Sequence, residues 1–84
     1  MLIFCKTKKG RVIVPLSRVY DIRALETSVI INYDCGDLVW LDGDKYEKKI
    51  ESVFIEFADE DEVDKVIRQF YKACRDNANS FYFG

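Results

Sequence analysis

Six apolar side chains near the end of the chain restrict the fold more than any other feature. Val63, Val66, Ile67, Phe70, Tyr71 and Cys74 recur at i, i+3, i+4, i+7, i+8 and i+11. That spacing gathers side chains on one face of a 3.6-residue helix. Asp59 stands just before the stripe with Glu62 three residues on, a variant capping box that satisfies free N–H groups of the first turn. Asn77-Ala78-Asn79 forms a stop, so the pattern predicts a helix over 60–77, followed by a short aromatic tail at 80–84. Everything before Asp59 reads as strands. A helix with one apolar stripe must then lie on a sheet, which gives a single α+β domain over 1–84.

The strand pattern predicts a bent five-stranded antiparallel meander, a partial barrel, with segments over 2–7, 11–24, 28–33, 37–42 and 50–57. Lys8-Lys9-Gly10 reads as the first hairpin turn. Pro15 demotes its end of the second segment to an edge or a bend, because it cannot donate to a ladder. Asp34-Cys35-Gly36-Asp37 reads as the four-residue turn of a second hairpin. Val29-Ile30-Ile31 and Leu38-Val39-Trp40-Leu41 are apolar at successive positions, so both faces of that hairpin call for cover. One helix covers one face. The sheet must curl on itself, or its second face must meet another copy or another protein, and Phe54 points the same way.

Eighty-four residues bury only about 60–65% of the surface exposed by the unfolded chain, so help from a staple or a partner is expected. No metal staple or cofactor site is visible. Histidine is absent, and Cys5, Cys35 and Cys74 are far apart with no CxxC pair. An odd cysteine count and an opening apolar run too short for a signal segment or a bilayer span predict a reducing, cytoplasmic setting and no membrane role. The 49% apolar content argues against disorder.

Catalysis is the weakest reading. Without histidine the usual base for a Ser or Cys nucleophile is missing. The pairs Asp34/Asp37 and Asp42/Asp44 fall in turns, where aspartate caps local backbone, and they lack the further oxygen ligands of a calcium loop. No P-loop, GxGxxG or nucleophile elbow is present, and no small-molecule substrate is indicated. The expectation is a non-enzyme.

Two non-catalytic readings stay open. Charge is uneven: +5 over residues 1–20, −9 over 21–62 and +2 over 63–84, for a net −2. Lys65, Arg68, Lys72 and Arg75 form a basic helix stripe, and Lys8, Lys9 and Arg11 cluster with Lys6 at the first hairpin. Together these could track the phosphates of a nucleic acid, with Tyr46 or the tail aromatics stacking on bases. Against that, Asp61 and Asp64 stand four residues before Lys65 and Arg68, as on ordinary solvated helices, and the pI is near 5.1. The favoured reading is a regulatory or protein-interaction module forming a homodimer. Trp40, Phe54, Phe81, Tyr82 and Phe83 supply the aromatic surface that interface centres use.

Lys9-Gly10-Arg11-Val12-Ile13-Val14, Val19-Tyr20-Asp21-Ile22 and Thr27-Ser28-Val29-Ile30-Ile31 resemble small bacterial flagellar and swarming accessory proteins of the FlbD and SwrD type. The resemblance implies a short β-meander followed by a C-terminal helix. Leu38 to Phe57 departs from it, being longer and more aromatic. Bacterial pleckstrin-homology-like domains, a curved sheet closed by a helix, look similar too, as do small phage-encoded regulators or inhibitors in size and composition.

Overall fold

The computed structural model describes residues 1–43 and 45–84; the side chains of 38–42 lie outside that description. Six strands and one helix follow in the order β1 (Leu2–Thr7), β2 (Gly10–Pro15), β3 (Val19–Leu25), β4 (Ser28–Asp42), β5 (Lys45–Glu56), α1 (Glu60–Arg75) and β6 (Ser80–Phe83), with a 3-10 turn at Leu16–Arg18. The α+β class holds, but the strands form two three-stranded sheets, β2-β1-β6 and β3-β4-β5, in place of one five-stranded meander, and no barrel closes.

Pro15 explains the division. It ends the β1–β2 ladder opposite Leu2, and its fixed backbone leads into the 3-10 turn that carries the chain to the second sheet. The expected strand over 11–24 is therefore two strands in different sheets. The aromatic tail is a strand as well: β6 pairs parallel with β1, setting Phe81 beside Ile3 and Phe83 beside Cys5.

The second departure lies at Asp34-Cys35-Gly36-Asp37. β4 does not turn there but runs on to Asp42, and 28–33 and 37–42 belong to one strand that pairs with β5 on both sides of an interruption, with a second register shift between Trp40 and Asp42. Asp34 pairs with Ile50 and Leu38 with Lys48, so Cys35, Gly36 and Asp37 face Lys49 alone, as a bulge. Gly36 takes φ +90°, and its N–H donates to Asp34 Oδ1 at 2.9 Å. Turn and bulge ask for the same chemistry, a glycine at positive φ beside an aspartate.

The helix begins and ends on its predicted signals. Glu62 N–H donates to Asp59 Oδ1 at 2.9 Å, and the Glu62 carboxylate accepts from Ala58 N–H at 3.1 Å. At the other end Asn77 adopts φ +55°, Ala78 N–H donates to Ala73 O and Asn77 N–H to Cys74 O. This paired closure is the Schellman motif with asparagine in the left-handed position. The helix therefore stops at Arg75, two residues short of the predicted end. Val63, Val66 and Phe70 are buried and Ile67 and Cys74 half-buried, while Tyr71, at the rim of the stripe, is exposed.

The core gathers Ile3, Cys5 and Val14 from the first sheet, Val29, Ile31, Val53 and Ile55 from the second, the helix residues Val63, Val66 and Phe70, and Phe83. Among the residues whose side chains are described, every buried one of β4 and β5 lies in 28–33 or 51–56. The rest of that pair, 34–42 and 45–50, runs past the core as an arm. The radius of gyration of 14.3 Å and extents of 47 × 27 × 20 Å reflect it, against about 12 Å for a compact chain of this length.

Candidate interaction surface

The residues expected to meet a partner are dispersed by the fold. Phe83 is 1% exposed and packs on Phe70 and Phe81, with ring centroids 5.3 and 4.9 Å apart. Phe81 is half-buried against the same cluster. Tyr82, between them, faces outward by strand alternation; it is 66% exposed and stacks on Phe4 at 4.7 Å. Phe54 is 58% exposed on the outer face of the second sheet, beside Ile30. Trp40 stands opposite Tyr46 on the arm, and its side chain lies outside the described residues. The Asp42/Asp44 pair also lies outside them.

β5 holds the most distinctive pattern. Among the described residues it is the edge of its sheet, with β4 on one side and no strand hydrogen-bonded along the other. Residues 45–50 are exposed without exception. Tyr46, Ile50 and Phe54, at intervals of four, share one face of a strand, and all three are exposed, at 59%, 44% and 58%. Lys49 and Glu51 flank Ile50 and pair with each other at 3.3 Å. Across the arm Lys48 reaches Asp34 at 3.6 Å. Tyr46 falls in the polar, lysine-rich stretch between the expected strands 37–42 and 50–57, and Ile50 is the first residue of the second of them. The signal available was the four-residue spacing that joins them to Phe54.

β1 passes near β5 without pairing, and a cleft of about 750 Å³ opens between them. Lys6, Lys8 and Lys9 form one rim, Glu51, Ser52 and Glu56 the other, over Val12, Tyr33 and Val53. Burial first, then the neighbouring Glu51 carboxylate, raise the Tyr33 phenol above its ordinary pKa. A second cleft holds Lys65 and shares Glu56 and Gly84 with the first. Lys8 and Lys9 line the first cleft and Lys65 the second, whereas Arg11, Arg68, Lys72 and Arg75 line neither. None of Lys8, Lys9, Arg11, Lys65, Arg68 and Lys72 is ion-paired among the described residues, and Arg75 pairs with Asp76.

The three cysteines are free thiols. Burial pushes the Cys5 thiol up to about 11 from 9.0. Between those values the folded chain keeps a proton that the unfolded chain has released, so stability present below pH 9 is lost as pH rises towards 11, on the order of 2 kcal/mol. Urea titrations of the parent and Cys5→Ala from pH 8 to 11 should show the gap between them narrowing by that amount. Parallel profiles would refute the assignment.

Among the described residues no group of three or more His, Cys, Asp or Glu side chains is placed to hold a metal, and no helix is long and apolar enough to cross a membrane. No family model, curated protein or solved structure matches this chain.

Proposed function

We propose that this protein is a non-catalytic, cytoplasmic interaction module that associates with a second copy of itself through the β4–β5 arm and the open edge of β5. One observation carries the reading: among the described residues β5 lacks a strand partner on its outer edge while presenting Tyr46, Ile50 and Phe54 to solvent. An unpaired strand edge is a template for another strand, and natural proteins ordinarily blunt it with charged side chains, bulges, prolines or cover. β5 carries lysines, but with glutamates among them, and Lys49 and Glu51 neutralise each other at 3.3 Å. Here the bulge sits on β4, and β5 has no proline. A two-stranded ribbon reaching past its core is also marginal by itself in water, and a pairing partner stabilises it.

Phe54 belongs to this surface and Phe83 to the core beneath, so the two separate association from folding. Light scattering after size exclusion, over a hundredfold range of concentration, should give a mass near twice 9.9 kDa. Phe54→Ser should shift the mass towards the monomer with the circular dichroism unchanged. A strict monomer at every concentration would end this reading and move attention to nucleic acid at Lys8, Lys9 and Lys65.

A further inference from the structure

The pattern along β5 is self-complementary about Ile50. If two β5 strands lie antiparallel across a two-fold axis through Ile50, each residue i faces residue 100 − i of the other copy. Tyr46 then faces Phe54, Ile50 faces Ile50, and Phe54 faces Tyr46, all on the face where the three side chains are exposed. On the opposite face Lys49 meets Glu51 of the second copy, and Glu51 meets its Lys49. Aromatic pairs and opposite charges directly across an antiparallel ladder are the favourable pairs of a sheet. A shift by one position would set Lys49 against Ile50 and Glu47 against Ser52, losing both matches. Closing the sheet in this register joins β3-β4-β5 to its mate as one six-stranded sheet. It also brings Glu47 of the second copy opposite Val53, at the cleft whose other rim carries Lys6, Lys8 and Lys9.

We infer that the partner of this surface is a second copy of the chain, held by antiparallel β5–β5 pairing centred on Ile50, with Lys49 and Glu51 exchanging partners across the axis. This rests on the self-association proposed above and specifies its geometry. Lys49 and Glu51 already pair within one chain, so dimerisation builds a cluster of four alternating charges from two existing pairs. The cationic rim of the cleft gives Glu47 of the second copy a counter-charge.

The test combines charge exchange with cross-linking. Lys49→Glu and Glu51→Lys should each weaken dimerisation by about tenfold or more through like charges facing each other. The double variant K49E/E51K should restore it, because every facing pair is again opposite. In a Cys35→Ser/Cys74→Ser background, Ile50→Cys should form a covalent dimer with a short bis-maleimide, whereas Glu56→Cys, far from its symmetry mate, should not. A parent chain that stays monomeric overturns this geometry and the self-association together. A parent dimer in which the double variant fails to recover, or in which Ile50→Cys does not cross-link, overturns the register alone.

Discussion

Phe83→Ala is expected to lower the free energy of unfolding by about 3–5 kcal/mol, the usual cost of removing a buried aromatic ring from a core that cannot fully collapse. The ring is 1% exposed, sits beside Cys5 in the parallel β1–β6 ladder and touches two other phenylalanines. An 84-residue chain has a total of roughly 4–13 kcal/mol to lose, so the variant should sit close to its unfolding midpoint in plain buffer. Tyr82→Ser supplies the contrast. It removes the neighbouring ring from the outer face, where only the stack on Phe4 is lost, and about 0.5–1.5 kcal/mol should go with it. Urea unfolding followed by tyrosine fluorescence and circular dichroism gives both numbers. Equal, small losses would mean that β6 is not docked, and the core described above would have to be redrawn without it.

That contrast also shows where sequence reasoning reaches and where it stops. Local chemistry was legible: Asp59 and Glu62 mark the helix start, Asn77 its end, and the stripe from Val63 to Cys74 its inner face, with Tyr71 misplaced by sitting at the rim. What could not be read was pairing between distant segments. Phe81-Tyr82-Phe83 alternates in, out, in, yet three aromatics after a polar run do not say which strand will receive them. Pro15 announces a break without saying that the chain changes sheets. Gly36 with Asp34 announces a positive-φ site, and both a hairpin turn and a bulge would use it. A turn there shortens β4, hides the arm, and leaves Tyr46 in a connection and Ile50 at the very start of a strand. The candidate surface fared alike. Phe54 was found by its face, whereas its two companions needed the register of β5 against β4.

Because the bulge at 35–37 separates core from arm, excising the arm should leave a folded monomer. Asp34 and Ile50 face each other at the last regular pair before the bulge, and Cys35 and Lys49 would come next in the same register. Replacing 36–48 by Asn-Gly joins those two residues through the two-residue turn that matches strand twist. Among the residues whose side chains are described, every buried one of both strands lies in the retained part. The Lys48–Asp34 ion pair that disappears is largely exposed on the lysine side and contributes little. Stability should therefore change by less than about 1 kcal/mol, and shortening the excursion helps slightly through loop entropy. Association should fall by far more, since Tyr46 and its facing Phe54 contacts are lost from both copies at once. A mass of one chain under conditions where the parent shows two, with an unchanged unfolding midpoint, is the expected result. An excised chain that unfolds would place the arm in the fold's own stability, and one that keeps the parental mass would place the interface elsewhere. The arm would then need another purpose, because a chain this small gains no core from residues it holds outside it.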